Sequence, residues 1–143
     1  MTPKEARALI ETAFKAEWGT DIPVDYNNDM AAVPKTPFVR LFVQNAGPST
    51  PDSMTGDLIR YSRFGIAFVQ VFTALGIGPA LADDLARRAT LILEGRDFNA
   101  HTTDVLSLGA ASQTTVGTNQ SGDWQVNVSV PFSYAEYRTR RYV

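Results

Sequence analysis

The chain has 143 residues, a formal net charge of -2 and no cysteine. This length suits one domain that buries roughly two-thirds of its unfolded surface. The charge gives no general attraction to nucleic acid or to anionic membranes, and the lack of cysteine excludes disulfides and thiolate sites.

The first predicted helix covers residues 3–17. Thr2 is placed to be its N-cap, Pro3 its first residue and Glu5 the partner in a capping box. Apolar residues at helical spacing form one stripe, and Gly19 ends the helix. This polar start is no signal peptide, and the apolar runs elsewhere are too short to cross a bilayer, so a soluble cytosolic product is predicted.

Two strands and a long loop are predicted next. The first strand is centred on Val24, and the chain then turns at 27–29. The second strand covers 38–44. Residues 45–57 have turn composition throughout, which predicts a loop. A loop of that length between two strands is usually functional or disordered.

Residues 58–73 form the longest predicted strand. Its C-terminal half is apolar on both faces, as in a central strand whose two faces are both covered by other elements. Its N-terminal half is more polar and is predicted to protrude. Gly76 and Gly78 mark the turn into a second helix at 79–94. The acidic residues of that helix precede its basic ones, the order that the helix dipole favours.

The last part of the chain is predicted to be mostly strand. A weak strand within 102–115 precedes a turn at 116–123. Residues 124–134 then alternate between large apolar and small polar side chains, which predicts a strand with one buried face. Pro131 must lie at an edge, at a bulge or with its missing N–H facing outward. A basic tail, 138–143, ends the chain.

This order, α-β-β-β-α-β-β, predicts a single α+β domain over 1–143. Two amphipathic helices would pack on a four- to five-stranded mixed or antiparallel sheet. The tail arginines are open to three interpretations: a weak, salt-sensitive phosphate contact, a solvated terminus, or a contact with a neighbouring subunit.

Catalytic and metal-binding patterns are lacking. His101 is the only histidine, and a zinc site needs several ligands. A grouping of His101 with Ser107 and Asp104 has no nucleophile-elbow motif to support it. Gly76-x-Gly78 lacks the third glycine of a dinucleotide motif and the Gly-Lys-Ser/Thr of a phosphate loop. The sequence therefore predicts no enzyme activity, cofactor or metal.

Four blocks in order resemble the tail terminator proteins of long-tailed phages and gene transfer agents, the minor tail proteins that cap the tail tube. The blocks are 18–27, 37–41, 65–85 and 123–132, and the last, Asp-Trp-Gln-Val-Asn-Val-Ser-Val-Pro-Phe, is the most specific. The resemblance covers most of the chain.

The resemblance implies a structural virion protein that forms a hexameric ring. Such a ring ends polymerisation of the tail tube protein and docks the tail to the head connector or head-completion protein, and DNA later passes through its lumen without sequence recognition. It implies a location at the neck end of the tail, after assembly from the host cytoplasm, and no membrane partner.

The residues themselves suggest where an assembly interface would lie. Exposed or mobile segments with adaptable apolar side chains and arginines favour protein contacts. The predicted interface residues are Met54, Arg60, Arg63, Arg138, Arg140, Arg141 and Tyr142. The alternatives are a head-completion or connector adaptor of the same particle, a small hydrolase that uses His101, and a nucleic-acid-binding module with steeply salt-dependent binding.

Overall fold

A computed structural model describes residues 1–26 and 34–142. Within these ranges one mixed sheet of seven strands carries two helices. The elements are α1 (Pro3–Trp18), β1 (Val24–Tyr26), β2 (Phe38–Thr55), β3 (Leu58–Thr73), α2 (Ala80–Leu93), β4 (Asp97–Phe98), β5 (Leu106–Leu108), β6 (Ser112–Thr118) and β7 (Trp124–Thr139). The predicted α+β class with two helices and a mixed sheet is confirmed, and the turn predicted at 27–29 lies outside the described residues.

The sheet is larger than the four to five strands that the sequence predicted. The strand order is β1-β2-β3-β7-β5-β4. Strand β6 pairs with β7 on the same side as β5, but along a different part of β7. Only β1 and β2 are parallel, and the other pairs are antiparallel. The element order departs from the prediction because β4 and β5 are too short to show an alternating pattern, and because Ser, Thr and Gly in β6 resemble a turn.

The first helix forms as its sequence predicts. Thr2 accepts a hydrogen bond from the backbone N–H of Glu5, whose carboxylate accepts one from the N–H of Thr2. Gly19 follows the last turn with φ 89°, a conformation that other residues rarely adopt. The buried stripe of α1 therefore faces the core, with Phe14 and Trp18 stacked at 5.0 Å between ring centroids.

The second helix lies beside the first on the same face of the sheet. Arg88 of α2 joins them, because its guanidinium pairs with both carboxylate oxygens of Asp21, at 3.0 and 2.8 Å, and bonds the carbonyl of Trp18. It also lies 4.3 Å from the centroid of the Trp18 ring. Leu81, in the first turn of this helix, is 36% exposed.

The prediction of a loop at 45–57 is wrong. Residues up to Thr55 continue β2 and pair along β3 as far as its first residue, Leu58, so Gly56 and Asp57 form the turn. The turn-like composition is accommodated by irregularities in the register, between Ala46 and Thr50 and between 51 and 53. Backbone pairing with a long partner strand outweighs the weak local preference of these residues.

The last strand is also longer than predicted. It starts at Trp124 as expected but runs to Thr139, so Arg138 belongs to the ladder with β3 and not to a free tail. Pro131 lies where the neighbouring strand is interrupted between β5 and β6. Its carbonyl accepts a hydrogen bond from the N–H of Gly109 in that interruption, at 2.8 Å, so the side of Pro131 that lacks an N–H faces the gap between β5 and β6.

The helices cover one face of the sheet. The core contains alternate residues of the long strands, among them Val69 and Val128, which are fully buried and directly opposite each other. On the other face Phe42 and Phe68 stack at 4.9 Å, and Phe64 is 51% exposed. The prediction that β3 is covered on both faces is therefore met on one face only, because no helix lies on the second face within the described residues.

Candidate assembly interface

The chain builds a three-stranded arm from the far ends of β2, β3 and β7. The arm ends in what we call the hairpin tip: residues 52–60 with residues 137–142. Most of the predicted interface residues meet here, although they come from segments more than 70 positions apart. At the tip Met54 lies opposite Ile59, which lies opposite Arg138 on the next strand. The arm is thus a paired element, and its shape is set by its strands.

The residues after β7 fold back on the hairpin turn. The backbone N–H of Arg140 donates to the carbonyl of Asp57 at 2.6 Å, and the hydroxyl of Tyr142 donates to the Asp57 carboxylate at 2.9 Å. The hydrogen bond to Asp57 raises the pKa of Tyr142, with a smaller contribution from desolvation. The Arg140 guanidinium lies 3.5 Å from the sulfur of Met54 and 5.6 Å from the centroid of the Tyr142 ring. The tail predicted at 138–143 therefore contacts the hairpin turn as far as Tyr142, although its side chains remain exposed.

Arg60 forms an ion pair with another residue of the same chain. Its guanidinium bonds the carboxylate of Asp52, which also accepts the hydroxyl proton of Ser62. The Ser62 hydroxyl, and next the Arg60 guanidinium, lower the pKa of Asp52. Since Asp52 lies at an irregularity in β2 and the other two residues lie in β3, the group holds the arm's two strands together near the tip.

Arg63 also binds within the chain and lies behind the tip. Its Nε and Nη2 both donate to one oxygen of Glu136, at 3.0 and 2.7 Å, and its guanidinium lies 5.0 Å from the centroid of the Tyr61 ring. The pair is three-quarters or more buried and joins β3 to β7. Arg63 is therefore the predicted interface residue that the structure places apart from the others.

The remaining arginines of the tip have no acidic partner. Within residues 1–26 and 34–142, Arg138, Arg140 and Arg141 form no ion pair. Exposed apolar side chains surround them, with Met54 56% and Tyr142 74% exposed. A surface of unpaired guanidinium groups and adaptable apolar groups suits binding to a protein surface of opposite charge.

Sequence reasoning missed two exposed apolar residues of the tip, which lie on the opposite face of the sheet from Met54 and Arg138. Leu58 and Tyr137 are each 45% exposed at the tip. Tyr137 lies opposite Arg60, and Leu58 lies opposite Thr139. The sequence contains one indication of Leu58, because an apolar residue directly follows the Gly-Asp turn. Only the pairing of β3 with the end of β7 shows that Leu58 and Tyr137 lie on one face of the sheet.

The sites of other possible chemistry are separate from the arm. His101 is exposed and forms no hydrogen bond with any described residue, and Asp104 pairs instead with the amino group of Met1 at 2.8 Å. No group of three or more acidic or histidine side chains in the described ranges could hold a metal ion. Neither described helix is long and apolar enough to span a membrane.

A cavity of about 780 Å³ lies at the outer edge of β2. Its lining includes Arg7, Arg40 and Gln70. Arg40 is engaged by the buried carboxylate of Asp25, at 2.9 Å, and Arg7 donates to the carbonyl of Val43 at 3.5 Å. Its lining side chains include no nucleophile paired with a base, so the cavity does not have the arrangement that covalent catalysis requires.

Comparison with known proteins identifies the fold only. No protein-family model matches the chain, and no curated protein matches it in sequence. The chain is similar to a solved structure of a protein that is designated only by a sequence identifier, with a TM-score of 0.67. The match covers 100% of this chain and 99% of that chain at 18% identity, so it shows a shared fold.

Proposed function

We propose that this chain is a structural protein of a phage tail or gene transfer particle, and that it forms a hexameric ring which ends the tail tube. The ring would bind the tail tube protein on one side and the head connector on the other, and DNA would pass through its lumen. The ordered sequence blocks that resemble tail terminators support this proposal.

The observation that carries the proposal is the arm. Three strands extend past the helix-covered body and end in a surface with exposed Met54 and Tyr142 and with three arginines that form no ion pair among the described residues. A monomer gains nothing in stability from presenting apolar and cationic groups together at the end of a rigid element. A subunit that binds its neighbours uses such a surface as a contact.

The first test is the mass and shape of the assembly. We expect light scattering on the purified protein, alone or after addition of tail tubes, to give six times the chain mass of 15.7 kDa. Electron microscopy should show rings with six-fold symmetry, at the end of the tube when tubes are present. Particles that are complete without this polypeptide, or a protein that stays monomeric with and without tubes, would contradict the proposal.

A further inference from the structure

The two ends of the long strands carry surfaces of opposite charge. β3 runs from Leu58 at the hairpin tip to Thr73, and 16 residues of strand span about 50 Å. Beyond Thr73 the chain forms what we call the distal end: residues 74–84 with residues 116–124. The turn between β6 and β7 and the first turn of α2 meet there.

The distal end is apolar and acidic. Leu75 and Ile77 are 49% and 56% exposed, beside a cavity of about 310 Å³ that Trp124 also lines. Asp84 is exposed, and neither Asp84 nor Asp123 forms an ion pair in the part of the chain that the structure describes. The distal end thus combines exposed aliphatic side chains with carboxylates that have no cation to neutralise them.

The hairpin tip has the complementary properties, with exposed Met54 and Tyr142 beside Arg138, Arg140 and Arg141, which form no ion pair among the residues that the structure describes. We propose that the hairpin tip of one copy of this chain binds the distal end of the next copy. The proposal rests on the proposed ring, because it names the repeated contact between subunits.

Charge selects this head-to-tail contact over symmetric ones. Two tips placed together would bring Arg138, Arg140 and Arg141 against the same three cations, and two distal ends would bring carboxylates together. Like charges at an interface cost binding energy, whereas a tip on a distal end pairs them with opposite charges. A contact between two different surfaces repeats from copy to copy, and it closes into a ring when the rotation between copies divides a full turn.

Disulfide cross-linking tests the contact directly, because the chain has no cysteine of its own. We mix the single variants Met54→Cys and Ile77→Cys under mild oxidation and expect cross-linked heterodimers, which form only when the two Cα atoms approach within about 7 Å. Leu91→Cys is the matched control: Leu91 is an exposed aliphatic residue like Ile77, at 68% exposed, but it lies near the C-terminal end of α2, away from the distal end. Met54→Cys should not form cross-links with it.

Charge reversal tests the chemistry of the same contact. Arg138→Glu with Arg141→Glu should lower the yield of the 54–77 cross-link about tenfold, as should Asp84→Lys with Asp123→Lys. Mixing the reversed tip with the reversed distal end should restore the yield. Circular dichroism of each variant confirms that it is folded.

The outcomes separate this contact from the proposed function. Rings that form without the 54–77 cross-link overturn the contact and leave the ring in place. Cross-linked open chains without rings support the contact and overturn the ring. A protein that neither associates nor cross-links at high concentration overturns the contact.

Discussion

A glycine at position 65 leaves room for the ring of Phe132 across the pair of β3 and β7. The two residues are directly opposite, and Phe132 is 3% exposed. A Cβ atom added at Gly65 would lie inside contact distance of that ring and 2.6 Å from the carbonyl oxygen of Gln44 on β2. The close approach of β2, β3 and β7 at the base of the arm thus requires a residue without a side chain here.

We expect Gly65→Ala to lower the free energy of unfolding by about 1–3 kcal/mol, the usual cost of overpacking. Chemical denaturation monitored by circular dichroism measures it. Phe132→Leu removes part of the crowding ring, so the double variant should lose less than the two single changes together. If the two losses simply add, the ring of Phe132 is not what limits the space at residue 65.

At the scale of the element, the arm is stabilised by polar contacts where its core is thinnest. Asp52 binds both Arg60 and Ser62 near the hairpin turn. These partners lower its pKa below the ordinary value of 3.8. Its contribution to stability is therefore present above that value and is lost as the pH falls through the lowered pKa of the folded state.

This linkage predicts a pH-dependent effect of Asp52→Asn. At about pH 7 the variant should show faster amide exchange at residues 52–62, because the charged contact between the two strands is lost, and the difference should shrink as the pH falls below 3.8 and through the lowered pKa of Asp52. Hydrogen exchange followed by NMR resolves these amides. Asp97→Asn, at an exposed carboxylate without a hydrogen-bonding partner among the described residues, is the control. Equal protection in wild type and Asp52→Asn at pH 7 would contradict the assigned role.

At the scale of the whole molecule, the core that stabilises the fold and the proposed assembly surface lie in different regions. The helices and the core face of the sheet form one cluster whose last member along the chain is Tyr134. Among the described residues, the hydrogen bonds of Arg140 and Tyr142 go to the hairpin turn and to Met54. The fold is therefore expected to tolerate changes at the end of the chain that a ring would not tolerate.

Deletion of residues 140–143 tests this division. The melting temperature should change little, because the loss is limited to exposed contacts that contribute about 1 kcal/mol or less. Ring formation and the joining of heads to tails should be impaired, because two of the three unpaired arginines are gone. Calorimetry and electron microscopy of particles give the two measurements. Normal particles assembled from the shortened chain would show that this segment is not part of the interface.

The elements that depend on local pattern were determined by the sequence itself. The bounds predicted for β3 are those observed, and both helices begin and end within one residue of their predicted limits. The capping box at Thr2 and the alternation that starts at Trp124 are complete within a few neighbouring residues. Side-chain period and capping chemistry act over that short range, so no knowledge of a distant partner is needed.

Only the tertiary structure decided the arm and the surface at its end. Residues 45–55 have the composition of a loop, yet they form a strand because β3 offers a partner for their backbone groups. Met54 reaches Arg140 only because β3 brings together segments that are 86 positions apart. Strand pairing is a contact between distant parts of the chain, and its energy belongs to both partners, so neither segment alone reveals it.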